Sequence, residues 1–169
     1  QGGAVDFLPA DRQGWLDWDA RPSLLRRETR AVVCTHASNL TGDAAALRRV
    51  GEFCRTHGLL LVVDASQTAG LLPIDMERMG IDVLCFTGHK SLMGPQGTGG
   101  LCVGPGVEVR PLLTGGTGVQ SYRETQPEEY PTRLEAGTLN GHGIAGLRAA
   151  LLFRRELGRE TILARESGL

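Results

Sequence analysis

The sequence has almost no lysine. Lys90 is the only one, and the other 17 of its 18 basic residues are arginine. A guanidinium stays protonated at any workable pH and cannot condense with an aldehyde, whereas a lysine amine can lose its proton in a suitable site and form a Schiff base. Since arginine serves wherever a plain cation is needed, the single amine at position 90 indicates a chemical role. The alternative is a solvated surface lysine in a flexible turn.

Long apolar runs and an excess of charge are also missing. No apolar stretch approaches the roughly 20 residues that span a bilayer, and the first residues lack the basic and apolar regions of a signal peptide, so no membrane association is predicted. The formal net charge of −1 argues against binding to nucleic acid. We therefore expect small-molecule partners and a cytoplasmic location.

Cysteines are few and carry no metal-binding spacing. The four of them (Cys34, Cys54, Cys85 and Cys102) form no CxxC pair, and all but Cys54 lie in apolar, strand-like runs. Such cysteines usually pack as small apolar side chains in a reducing compartment. We predict that role for them, with no metal site and no disulfide.

Apolar runs and helical periods alternate along the chain. The predicted strands are 4–8 (a short edge strand), 31–35, 59–63, 81–86 and 100–103, and the predicted helices are 21–30, 43–57, 73–79 and the segment from 144 onward. Strands joined through helices must lie parallel, and unbroken apolar runs indicate that both faces of the sheet are covered. The predicted fold class is therefore α/β, a mostly parallel sheet with helices on both faces.

Polar residues follow three of the predicted strands. They are His36 and Asn39 after the first long strand, Asp64 and Gln67 after the second, and Thr87, His89 and Lys90 after the third. Ligands of open α/β sheets bind at the carboxyl ends of the strands, so we expect these groups to share one edge. The glycine-rich segment 94–100 is predicted to offer exposed backbone N–H groups that suit a phosphate.

An amine, an acid and a phosphate site at one edge meet the needs of pyridoxal 5′-phosphate. An acid beside the pyridine nitrogen keeps it protonated, which lets the ring accept electrons from a substrate carbanion. Asp64 suits that role, the alternative being a loop or helix-capping aspartate. Gln67 could donate to the phenolic oxygen, and Lys90 could hold the aldehyde and then carry a proton.

Four segments resemble the large domain of class V aminotransferases, in particular the cysteine desulfurase and selenocysteine lyase group. They are THASNLTG (35–42), VDASQTAG (63–70), FTGHKSLMGPQGTGG (86–100) and RLEAGTLN (133–140). The resemblance implies a fold type I enzyme that uses pyridoxal phosphate. It assigns the Schiff base to Lys90, phosphate contacts to Thr87 and His89, the pyridine nitrogen to Asp64, the phenolic oxygen to Gln67, and a place beside cofactor and substrate to Asn39. Thr138 matches a threonine that reaches the cofactor phosphate of a partner subunit, which implies a homodimer.

The chain also departs from this family. Residues 1–169 match a single partial large domain, without the N-terminal segment that supplies a Gly-Thr phosphate turn and a ring-stacking residue, and without the C-terminal small domain. In desulfurases that small domain brings the nucleophilic cysteine, and none of the four cysteines here occupies its place. We therefore expect a fragment that binds the cofactor weakly or not at all and is inactive alone, with its physiological sulfur acceptor unidentified.

Two classes of function are compatible with these residues. The first is an enzyme acting at Cα of a small amino acid, with sulfur or selenium removal from cysteine or selenocysteine favoured over another class V aminotransferase or lyase reaction. The second is a noncatalytic α/β domain that binds a phosphate or nucleotide. Lys90 precedes the glycines, and no Lys-Ser/Thr pair follows them, which is the wrong order for a nucleotide-binding P-loop.

Overall fold

The computed structural model describes residues 3–120 and 122–168. The strands are β1 (Ala31–Thr35), β2 (Leu60–Asp64), β3 (Val83–Thr87) and β4 (Gly99–Val103). The α-helices are α1 (Arg21–Leu24), α2 (Leu47–His57), α3 (Met76–Met79), α4 (Gly141–Leu157) and α5 (Arg159–Ser167), with 3-10 turns at Trp18–Ala20 and Thr132–Leu134.

The strands form one sheet in the order β1-β2-β3-β4. β1, β2 and β3 are parallel, because α2 connects the first pair and α3 the second. β4 is antiparallel to β3, since the connection over residues 88–98 contains no helix and the chain turns straight back. The predicted α/β class and mostly parallel sheet are confirmed.

The core lies between α2 and one face of the sheet. Its buried members from these elements are Leu47, Val50, Cys54, Leu61, Val63 and Leu84. α2 crosses α3 so closely that a Cβ on Gly51 would overlap the carbonyl of Met79. Gly58 ends α2 in the left-handed region, at φ 64°, which confirms the predicted helix stop.

The opposite face of the sheet is open at β1 and β2. Val33 is 73% exposed and Leu60 is 42% exposed, although both stand in apolar runs. Register pairs Val33 with Val62 and Ala31 with Leu60, which puts these side chains on the face away from α2. Within the part of the chain that the structure describes, helices therefore cover only one face of β1 and β2, whereas both faces were predicted to be covered.

The predicted edge strand at 4–8 is wrong. Residues 3–9 carry no strand, and the segment instead turns back through an isolated bridge between Ala10 and Leu16. The carboxylate of Asp11 organises that turn by accepting the backbone N–H groups of Gln13 and Trp15, each at 2.9 Å. A side chain that satisfies local amides in this way competes with strand pairing.

Four helix boundaries differ from the predictions. The helix predicted over 73–79 begins only at Met76, where the Asp75 side chain caps it. The helix predicted over 21–30 stops at Leu24, because Leu25 is extended. The next begins at Leu47 rather than 43, since Ala44 bridges to Ala37. The fourth begins at Gly141, where the Asn140 side chain caps it by accepting the Gly143 N–H at 3.0 Å.

The cysteines are buried to different degrees. Cys54 is buried, Cys34 and Cys85 are half-buried, and Cys102 is exposed on the sheet-edge strand β4. The prediction of a core position is therefore wrong for Cys102. Burial raises the pKa of Cys34 and of Cys54 to about 11, so both are thiols at neutral pH.

Within the described ranges, every helix is too short or too polar to cross a bilayer.

Candidate active site

The carboxyl ends of β1, β2 and β3 lie side by side. Thr35 pairs with Asp64 across β1 and β2, and Asp64 pairs with Cys85 across β2 and β3. The backbone N–H of His36 donates to the Asp64 carbonyl at 2.8 Å, which extends the pairing past the strand end. Thr87 lies two residues beyond Cys85. The predicted shared edge is therefore present.

Asp64 is the last residue of β2 and is exposed at this edge. Its Oδ1 accepts the backbone N–H of Ser66 at 2.8 Å, so the carboxylate helps to form the turn that follows the strand. A carboxylate offers about four acceptor positions. One local bond thus leaves capacity for a protonated ring nitrogen, and the turn-forming role and the ligand role are compatible.

The hydroxyl of Thr87 is the most informative atom of the site. Its Oγ1 is buried, and in the described part of the chain it has no hydrogen-bond partner. An unsatisfied buried hydroxyl costs about 1–3 kcal/mol. A threonine here makes physical sense if a ligand atom completes its bonding, and a phosphate oxygen can do so.

His89 and Lys90 are exposed in the bend that follows β3. The Lys90 carbonyl accepts the N–H of Met93 at 2.8 Å, and Met93 adopts φ 60°, a left-handed conformation uncommon for a non-glycine residue. The Gly94 N–H then donates to the Gly88 carbonyl at 2.7 Å. The segment 88–94 is therefore a closed loop that presents Lys90 just past the strand end.

Gly94 and Gly100 do not offer the open N–H groups that the sequence predicts for the segment after Lys90. Gly94 donates to the Gly88 carbonyl within the loop, and Gly100 pairs with Phe86 in the sheet. These glycines permit close packing instead. A Cβ on Gly94 would lie 2.6 Å from Cδ1 of Leu147 in α4, and one on Gly88 would overlap the side chain of Thr98.

The turn after β2 is anchored to β1 by a buried polar pair. His36 Nδ1 lies 2.7 Å from Oγ1 of Thr68, and both residues are buried. Burial lowers the pKa of His36, so its imidazole is neutral near pH 7. Gln67, half-buried, lies in this turn and is held beside Asp64. Thr68 is a residue that sequence reasoning missed.

Asn39 and Thr138 lie on loops. Asn39 is exposed in the turn after β1, where the Ser38 hydroxyl accepts the N–H groups of Leu40 and Thr41, each at 3.1 Å. Thr138 is exposed between the second 3-10 turn and α4, next to Gly137, whose N–H donates to the Gly116 carbonyl at 2.9 Å. The structure thus gathers Asp64, Gln67 and Thr87 at one edge and leaves Thr138 on a separate loop.

The sequence-based predictions also missed Asn140, which caps α4, and Arg154, which lies within that helix. The Asn140 amide donates to the Gly97 carbonyl at 3.2 Å, and the buried Arg154 guanidinium donates to the carbonyls of Ser91 and Gly70. A signal for Arg154 exists, because it follows Leu147 by seven residues and so falls on the same helix face. A cationic side chain on the apolar face of a helix is unusual enough to identify the residue as a candidate for a specific role.

No cluster of three or more His, Cys, Asp or Glu residues suited to a metal ion occurs within residues 3–120 and 122–168.

An amine, a carboxylate and a buried hydroxyl without a hydrogen-bond partner among the described residues lie at the carboxyl edge of a mostly parallel α/β sheet, which is where sheets of this class bind their ligands. The chain belongs to the aminotransferase class V family, whose model matches residues 1–169. The enzymes of this family depend on pyridoxal phosphate, and the predicted resemblance is confirmed.

The curated relatives include proteins named as probable cysteine desulfurases. One from Aeropyrum pernix is 35% identical over 176 residues, covering 99% of this chain and 43% of the relative. Another from Methanothermobacter thermautotrophicus is 35% identical, covering 94% of this chain and 40% of the relative. The chain thus spans well under half the length of these relatives.

Among solved structures, the cysteine desulfurase CsdA from Escherichia coli superposes with a TM-score of 0.76 at 32% identity, covering 91% of this chain and 39% of that one. The apo cysteine desulfurase from Thermococcus onnurineus NA1 gives a TM-score of 0.70 at 30% identity, with 92% and 40% covered. The architecture described above is therefore that of part of such a protein.

The residues present fit the cofactor. The unpartnered Thr87 hydroxyl suits a phosphate oxygen, the Asp64 carboxylate suits a protonated pyridine nitrogen, and the exposed amine of Lys90 can reach an aldehyde from the loop after Thr87.

Thr87→Val tests this fit through two opposite effects. Valine has nearly the same volume as threonine but lacks the unsatisfied hydroxyl. Without cofactor, the free energy of unfolding should therefore stay equal or rise by about 1 kcal/mol. With pyridoxal phosphate, binding should weaken roughly tenfold, because a phosphate hydrogen bond is lost. Calorimetric unfolding and a fluorescence titration measure the two. A Thr87→Val protein that is destabilised when cofactor-free would show that the hydroxyl already has a partner.

Proposed function

We propose that the protein is a pyridoxal-phosphate-dependent enzyme acting at Cα of a small amino acid, and that its reaction is removal of sulfur from cysteine or of selenium from selenocysteine. The buried, unpartnered hydroxyl of Thr87 carries this proposal, because it lies at the end of the strand that leads to Lys90 and close to the strand that ends in Asp64. The similarity to cysteine desulfurases supports the choice of substrate.

Four side chains would hold the cofactor in this proposal. The Lys90 amine would hold its aldehyde carbon covalently. Thr87 and His89, which flank the start of the same loop, would donate to its phosphate. The Asp64 carboxylate would accept from the pyridine nitrogen and keep it protonated. The bound cofactor then supplies an electron sink for the carbanion formed at the substrate Cα.

Two amides and the same lysine complete the assignment. Gln67 donates to the phenolic oxygen from the turn that His36 and Thr68 anchor. Asn39, in the turn after β1, lies beside cofactor and substrate. The Lys90 amine would also take and return the proton at the substrate Cα.

Three of the four cysteines, Cys34, Cys54 and Cys85, are poor candidates for accepting the sulfur atom. A thiol must ionise to attack, and burial raises the pKa of Cys34 and Cys54 to about 11. Burial, with Asp64 and Cys102 as further causes, also raises the pKa of Cys85. We propose that the sulfur passes to an exposed thiol other than these three, leaving alanine, and that a sulfur-acceptor protein takes it in the cell.

Product analysis tests the reaction. The intact protein, pyridoxal phosphate and cysteine are incubated with an excess of dithiothreitol, which reduces a persulfide to sulfide. Alanine and sulfide should accumulate in equal amounts. A keto acid without alanine would identify a transaminase or lyase instead. A protein that binds the cofactor phosphate without any imine absorbance and makes no product would be a noncatalytic binding domain.

We propose three further properties. Residues 1–169 form one unit of a pyridoxal-phosphate-binding large domain, a proposal supported by the one four-stranded sheet that the described residues build. The protein is a homodimer in which Thr138, exposed on its loop, contacts the cofactor phosphate of the second copy. It works in the cytoplasm, where its free cysteines stay reduced.

A further inference from the structure

Arg154 is a buried cation in the last turn of helix α4. Its residue is 7% exposed, and it lies in α4 on the side that faces the loops at the carboxyl edge of the sheet. Its guanidinium donates from one nitrogen to the carbonyl of Ser91 and from another to the carbonyl of Gly70. One side chain thus joins two loops that are far apart in sequence.

Both loops belong to the proposed cofactor site. Ser91 directly follows Lys90. Gly70 ends the turn that begins after Asp64 and contains Gln67. The guanidinium therefore donates to the residue directly after Lys90, the proposed point of covalent attachment. Its other hydrogen bond is to the turn that follows Asp64 and contains Gln67.

Packing around the guanidinium leaves little freedom. A Cβ on Gly70, which has φ 85°, would lie 2.6 Å from Cδ2 of Leu92 and 3.2 Å from Nη2 of Arg154. Leu92 is buried. Two helical turns earlier, Leu147 of α4 packs where Gly88 and Gly94 lack side chains. Helix α4 therefore contacts the Lys90 loop at two positions, through Leu147 and through Arg154.

The charge of Arg154 has no acidic partner among the described residues. The ion pairs in residues 3–120 and 122–168 involve Arg26, Arg78 and Arg133 instead. A buried guanidinium must be hydrogen-bonded, and here two backbone carbonyls serve that need. Those carbonyls are in turn fixed in direction by the planar, forked geometry of the guanidinium.

We propose that Arg154 is a positioning residue that sets the distance between the Lys90 loop and the Asp64–Gly70 turn, and so controls how readily the amine captures pyridoxal phosphate. This proposal rests on the proposed function of the site. Arg154 does not touch the reacting atoms in it. It acts by holding two carbonyls, Ser91 and Gly70, in one fixed arrangement.

Amide hydrogen exchange on the intact, cofactor-free protein is the primary test. In Arg154→Met, protection in segments 65–72 and 88–94 should fall at least about tenfold relative to the amides of β1–β3, because opening of both loops loses its restraint. Arg155→Met is the matched control, since Arg155 is exposed on the same helix, and it should leave both segments unchanged. Unchanged protection in Arg154→Met, or a loss shared equally by the strands, would overturn the proposal.

Cofactor capture provides a second readout. The rate at which added pyridoxal phosphate becomes fixed by borohydride should fall about tenfold or more in Arg154→Met and less in Arg154→Lys, whose single ammonium can serve one carbonyl well but not both in the forked geometry. If Arg154→Met does not fold, Arg154→Lys decides, with partial loss expected in both loops. Equal capture rates in Arg154→Lys, Arg155→Met and the unsubstituted protein would contradict the proposal.

The two tests separate this proposal from the one it rests on. If the unsubstituted protein never forms an imine, the proposed function fails, while the exchange result still decides whether Arg154 restrains the loops. If imine formation is normal and the loops exchange alike in Arg154→Met and Arg155→Met, the site assignment stands and the positioning role is rejected.

Discussion

Arginine at position 90 should abolish all covalent labelling of the chain by pyridoxal phosphate and borohydride, apart from the N-terminal amine. Lys90 is the only lysine, so a single internal peptide carries the label in the unsubstituted protein. Lys90→Arg keeps the positive charge but cannot form an imine, and Lys90→Ala removes both. Because the proposed reaction passes through this amine, turnover of cysteine should fall by at least about 10²-fold in either variant.

Mass mapping of the reduced protein measures the label, and an added lysine gives a stringent control. Arg155 is exposed on α4, so Arg155→Lys places a second solvated amine away from the sheet edge. In the doubly substituted Lys90→Arg, Arg155→Lys protein, labelling should stay absent at low cofactor concentration. Internal labelling that persists in Lys90→Arg alone would remove the central assignment, and Lys90 would be the surface lysine of the alternative interpretation.

Asp64→Asn should leave cofactor binding nearly intact and reduce turnover by at least about 10²-fold. The amide oxygen of asparagine can still accept the Ser66 N–H, so the turn after β2 should survive. The negative charge that holds a proton on the pyridine nitrogen is lost, and with it the ring's capacity to accept electrons. Absorbance with bound cofactor and the rate of alanine formation measure the two effects separately.

Asp75→Asn is the matched control for this substitution. Asp75 is also exposed and also accepts a backbone N–H, that of Arg78 at 3.0 Å, but it caps α3 away from the carboxyl edge. Its variant should turn over like the unsubstituted protein. Equal rates for Asp64→Asn and Asp75→Asn would make Asp64 a turn-forming residue only, the alternative that its bond to Ser66 leaves open.

Local chemistry made much of the fold predictable. The apolar runs that became β1, β2 and β3 are long and unbroken, the amphipathic segment that became α2 ends at a glycine, and parallel strands necessarily bring their carboxyl ends to one edge. The convergence of Asp64 and Thr87 follows from that rule alone. The proposed reactive position was identified by composition rather than geometry, because Lys90 is the single lysine.

Where the sequence misled, a local pattern was overruled by what it packs against. The glycines after Lys90 suggest an open phosphate loop, yet two of them pair in β4, and Gly94 admits the side chain of Leu147. Cys102 lies in an apolar run, yet β4 is the sheet edge and exposes it. In both cases the decisive neighbour is another element, which periodicity does not identify.

The sequence by itself determined the class of the fold, the edge of the sheet that bears the polar groups and the one amine proposed to form a Schiff base, because each depends on residue type and short-range spacing. Only the tertiary structure revealed that the buried Thr87 hydroxyl has no hydrogen-bond partner among the described residues, that His36 and Thr68 meet across 32 residues, and that Arg154 joins carbonyls 63 and 84 residues away. These depend on which distant segments come into contact, and burial and hydrogen bonding are properties of that contact rather than of any one stretch of chain.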